Sequence, residues 1–134
     1  MIEKYERIIN NLSYEVYSLS SSISSFNSIK SQLVDLVTRL NRESGKIDKL
    51  ANQVKAYYSV DEVGIDNKIM DNKEDIDSVI SYINSIITGV DSKISDVNRQ
   101  IDNDNDSIWY YKRKIKELKE NGESWVQLRQ ILLN

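Results

Sequence analysis

The chain has 134 residues, no proline, cysteine or histidine, four glycines, 29% charged side chains and a net charge of −3. That length suits one ordinary domain. The shortage of turn formers excludes an all-β fold, and the missing residue types exclude disulfides, thiol or imidazole catalysis and thiolate or imidazole zinc sites.

The first predicted element runs over about residues 2–58. Steps of three and four residues from Ile2 meet Tyr5, Ile9, Leu12, Val16, Leu19, Ile23, Phe26, Lys30, Leu33, Val37, Leu40, Ser44, Ile47, Ala51, Val54 and Tyr58. Only Lys30 and Ser44 in that series are neither apolar nor aromatic. A 3-4 step is a period of 3.5, which keeps one stripe facing a partner helix. A strand would need alternation by two.

A turn is predicted over about 59–66. Ser59 and Glu62 have the spacing of a capping box, and Asp66 is a second candidate cap. Gly64 can take a left-handed conformation cheaply.

The second arm, about 67–120, resumes the step at Ile69 and carries it through Lys73, Ile76, Ile80, Ile83, Ile87, Val90, Ile94, Val97, Ile101, Asp104, Ile108, Tyr111 and Ile115 to Leu118. Lys73 and Asp104 are its polar exceptions. Two heptad helices of similar length imply an elongated antiparallel helical hairpin, all-α, with arms of roughly 80 Å. A bend centred near residue 62 sets position i opposite 124 − i, which places Asp104 beside the serines near Ser20, Gly45 beside Val79 and Gly89 beside Asp35. Close packing or a mild kink would account for both glycines. Serine hydroxyls could satisfy Asp104, and such a polar layer would help to fix the register.

"KENGESW" predicts a second break, followed by a short C-terminal helix over about 123–134. Trp125, Leu128 and Leu132 are helically spaced there, with Val126, Ile131 and Leu133 also apolar. Such a segment should fold back on the hairpin or dock on a partner.

Charge divides along the chain: residues 1–58 carry net +2, 59–109 net −8 and 110–134 net +3. The complementary arms favour antiparallel closure modestly.

Several motifs fail on their chemistry. "DNDND", Asp102 to Asp106, lacks the Gly and the bidentate Glu of a calcium loop, because Ser107 and Arg113 stand at those positions. "YYKRKIKELK" mixes aromatics with bases, but it alternates with Glu117 and Glu120, and cations are expected toward a helix C-terminus. With the net negative charge, no nucleic-acid partner is expected. Carboxylates are abundant, yet a two-helix rod offers no water-excluding pocket in which to shift a pKa. No enzyme, metal or cofactor is expected.

No apolar run approaches the roughly 18 residues of a membrane span, and "MIEKYERIINN" is unlike a signal peptide. The expectation is a cytoplasmic protein with no membrane insertion, or one exported without a cleaved leader.

Apolar residues also lie beyond the seam. Ile8, Ile29, Leu36 and Tyr57 on the first arm, and Val79 and Ile86 on the second, each precede a seam position by one. They widen the stripe beyond what two strands can cover. Tyr14, Tyr17, Tyr82, Trp109 and Tyr110 add aromatics elsewhere, and residues 16–29 carry no charge. Ile29, Leu36, Val79, Ile86, Trp109, Tyr110, Trp125, Leu128 and Leu132 are therefore the candidate partner interface.

The hairpin with a glycine-containing turn at its middle, no cysteine and no leader resembles the Trp-x-Gly family of small type VII secretion proteins. In length it resembles the helical partners of LXG toxins. Glu62 stands where the Trp of that motif would align on Gly64. The resemblance implies a protein that binds the N-terminal helical domain of a secreted toxin, with or without a second small helical protein, and assists its export. The family's Tyr-x-x-x-Asp/Glu export signal is matched by Tyr57 with Asp61 and by Tyr58 with Glu62, here in the turn. Chance alone gives about one such match in this composition. The alternative reading is a structural coiled coil whose copies associate into a bundle, as in a phage or cellular scaffold, with a homodimer as its smallest form.

Overall fold

A computed structural model describes the backbone of residues 1–57 and 65–133, and their side chains except at 57, 65–67 and 123–125. The protein is an all-α helical hairpin of two helices, α1 (Ile2–Tyr57) and α2 (Ile65–Leu133). No strand occurs among the described residues. The candidate turn and signal residues Tyr58, Ser59, Asp61, Glu62 and Gly64 lie outside the described residues. Tyr57 and Asp66 are described only as helical backbone.

The heptad pattern explains the packing. Every seam position from Ile2 to Val54 and from Ile69 to Leu118 is buried or half-buried. Burial stays shallow because each helix has one neighbour: Ala51, Ile80 and Ile83 are the buried apolar residues among those described. The uncharged serine-rich stretch is helical as well. Its hydroxyls bond locally, as in Ser22 Oγ donating to the Ser18 carbonyl at 3.2 Å. Thr38, Ser85 and Thr88 bond back to carbonyls four residues earlier in the same way.

The chain forms two compact units, one of Met1–Ser24 with Ile94–Asn134 and one of Ser25–Lys93. In the second unit three contacts fix an antiparallel register. Lys30 pairs with Asp91 at 2.7 Å, Ser44 Oγ donates to Asp77 Oδ1 at 3.2 Å, and Lys73 pairs with Asp48 at 2.7 Å. The residue numbers in each pair add to 121, so the expected register of 124 is corrected by three residues. In the first unit the Tyr5 and Tyr111 rings meet at 5.4 Å between centroids, and their numbers add to 116.

Three further expectations change. The predicted break at "KENGESW" is absent: α2 is continuous to Leu133, and the expected separate C-terminal helix is its last turns. Glycine costs a helix about 1 kcal/mol, which deters the helix there without stopping it, and no proline follows. The apolar side chains from Val126 to Leu133 do not fold back, since Val126, Ile131, Leu132 and Leu133 are all more than half exposed. Finally, a Cβ built on Gly45 or Gly89 meets nothing within 4 Å, so close packing inside the hairpin explains neither glycine.

Candidate interaction surface

The polar seam positions show how the hairpin settles its own chemistry. Lys30, Ser44 and Lys73 each reach across to an acid on the other helix. The hydrogen bond that Lys73 donates to Asp48 holds its ammonium above the usual 10.5, with the charges of Asp48 and Asp77 adding to the effect against some desolvation. Asp104 is 5% exposed. Its Oδ1 accepts a bond from Gln100 Nε2 at 3.0 Å on the same helix, whereas Oδ2 is buried without a partner. The expected bond from a serine near Ser20 is not made. The Tyr5–Tyr111 register sets Asp104 level with a residue several positions before Ser20.

Around this seam the candidate interface residues are exposed. Ile29, Leu36, Val79 and Ile86 are 38–47% exposed, and Trp109, Tyr110, Leu128 and Leu132 are 48–78% exposed. Trp125 is described only as backbone within α2. The four residues that precede seam positions fall in the second unit, and the aromatic and C-terminal ones fall in the first. Leu50, Val34 and Met70, also exposed, belong with the flanking rows and were missed. Leu50 precedes a seam residue as Ile29 does, while Val34 and Met70 follow one. Ile8, by contrast, is half-buried.

On α2 the basic aromatic segment is folded in on itself. The Arg113 guanidinium lies 5.5 Å from the centroid of the Trp109 ring, and Lys114 lies 5.6 Å from that of Tyr110. Both cations also pair with Glu117, at 3.4 and 3.6 Å. Each aromatic is therefore stacked by a base one turn later, an arrangement that an exposed helix face accounts for without a ligand. Two open depressions lie along α2 in this unit. One of about 380 Å³ is lined by Trp109, Lys112, Arg113 and Lys116, and the other, of about 330 Å³, by Val126, Leu128, Arg129 and Leu132. The second is apolar apart from its arginine.

Among the described residues no three Asp or Glu side chains are grouped to hold a metal ion. Within "DNDND", Asp104 turns into the seam while Asp102 and Asp106 are exposed. No described helix is long and apolar enough to cross a membrane. No family model matches the chain, and comparison with characterised proteins and with solved structures finds no match.

Proposed function

We propose that the protein is a non-enzymatic helical adaptor that binds a protein partner by side-by-side helix packing. Its binding face is the late part of α2, where Leu128, Ile131 and Leu132 are 48%, 72% and 78% exposed. That exposure carries the reading. A single helix draws most of its stability from packing an amphipathic face, and a contiguous apolar face on a water-soluble protein marks an interaction site. Trp109 and Tyr110 extend the surface along the same helix.

The resemblance to LXG-toxin partners makes the N-terminal helical domain of a type VII secreted toxin the expected ligand, with the adaptor assisting its export from the cytoplasm. Affinity capture from the native host tests this. The wild-type chain should recover a secreted protein with a long helical N-terminal domain, and Leu128→Asp with Leu132→Asp should reduce recovery at least about tenfold. Recovery of no such protein would sink the proposal.

A further inference from the structure

In the second unit the seam answers its own cations. Lys30 and Lys73 stand at heptad position a, and each pairs at 2.7 Å with an aspartate, Asp91 or Asp48, at position e of the antiparallel helix. Ser44, also at a, donates to Asp77 at e in the same way. In an antiparallel pair, position a of one helix lies beside position e of the other, so a polar residue at a is met from there.

In the first unit the α2 stripe outruns its cover. Leu118 is its last half-buried seam residue, α1 starts at Ile2, and every described side chain from Lys119 onward is exposed. α2 nevertheless continues to Leu133, a further length of about 22 Å. The same seven-residue count puts Gly122 and Arg129 at a, Trp125 and Leu132 at d, Val126 at e and Leu128 at g. Val126, Leu128, Arg129 and Leu132 line the apolar depression of about 330 Å³, so its walls are the positions that face a neighbouring helix. Arg129 repeats the place of Lys73 eight heptads later, without an answering acid. Arg39, Lys46 and Arg99 pair with acids three or four residues away on their own helix. Arg129 has no such neighbour, because residues 124–134 contain no Asp or Glu. The helix dipole favours a cation in these last turns, but it does not select the seam position.

We infer that this end of α2 is covered by an acidic amphipathic helix of a partner protein, running antiparallel to α2 in line with α1. Its apolar side chains cover Leu128 and Leu132, and a carboxylate at its position e meets Arg129. This rests on the adaptor reading above and specifies the chemistry of the partner helix. The charge pattern excludes a second copy as the occupant. Antiparallel pairing of two such ends would set Arg129 opposite an e residue, Lys119, Val126 or Leu133, and parallel pairing would set it against itself. Neither arrangement supplies an acid.

Two fluorescent helical peptides of about three heptads, each with Leu at a and d, serve as probes at about 10 nM, too dilute to pair with themselves. One carries Glu at every e and Lys at every g, and the other exchanges the two, so their charge and composition are equal. By anisotropy the full chain should bind the first with Kd below about 100 µM and the second about fivefold or more weakly. Arg129→Glu should erase or reverse that preference, which a merely apolar attraction would not do. Binding of neither peptide up to about 200 µM, equal affinity for both, a preference for the second, or a preference unmoved by Arg129→Glu would overturn the inference. So would a homodimer by light scattering that Leu132→Asp dissociates, since a second copy would then be the occupant. Failure here is distinguishable from failure of the function proposed above. A secreted helical protein recovered equally by wild type and Arg129→Glu would remove this inference and leave that function standing. Selective peptide binding with no such protein recovered would remove the toxin and keep the acid-recognising site.

Discussion

Asp104 occupies a seam position that an apolar residue would fill in an ordinary coiled coil, and one of its buried oxygens has no partner. A buried acceptor left unsatisfied costs about 1–3 kcal/mol. Asp104→Leu is therefore expected to stabilise the hairpin by about that amount, seen as a higher Tm in thermal denaturation. A lower Tm would mean that this carboxylate stabilises the register by more than its desolvation costs. Lys73 is the opposite case, a seam cation that is fully answered. Its folded-state pKa lies above the usual 10.5. The contribution of the pair is thus fully present below that value and is lost as pH rises through the raised one. The Tm difference between wild type and Lys73→Gln should stay constant between about pH 7 and 9 and shrink above about 10.5. If it stays flat through the alkaline range, Asp48 does not hold the ammonium.

At the scale of the helices, the period of 3.5 placed every described seam residue on the packed side, because one facing helix is all that a two-position stripe requires. The ends were less legible. "KENGESW" looks like a stop, but a single Gly122 only lowers helix propensity, and nothing there forbids the helical backbone. Gly45 and Gly122 both have open space where a Cβ would go. Gly45→Ala and Gly122→Ala should therefore each stabilise the protein by about 1 kcal/mol in urea denaturation. A loss of stability at either would reveal a close neighbour that the hairpin does not supply.

For the whole molecule, stability rests on a narrow seam rather than a globular core. Ile83 is 6% exposed and Tyr14 is 76% exposed. Ile83→Ala should cost about 2–5 kcal/mol, whereas Tyr14→Ala should stay within about 0.5 kcal/mol, both by urea denaturation at low protein concentration. Similar costs for the two would show that Tyr14 is covered in solution. The exposure of residues beside the seam follows from the same pattern as the seam itself. A residue one step off a heptad stripe in a two-helix structure is only partly covered by its single neighbour: Ile29, Leu36, Val79 and Ile86 are exposed, and Ile8 is half-buried.

The sequence by itself determined the helices, their antiparallel pairing and which residues face inward, because these follow from local periodicity and the shortage of turn residues. The tertiary structure decided the register. Sliding one helix by three residues leaves a heptad stripe almost equally well buried, so apolar spacing hardly distinguishes 121 from 124. The choice falls to the few directional groups on the seam. Lys30, Ser44 and Lys73 find Asp91, Asp77 and Asp48 only in the register observed. That same set of contacts places Asp48, Asp77 and Asp91 on one flank of the seam, a distinction that a one-dimensional pattern cannot carry.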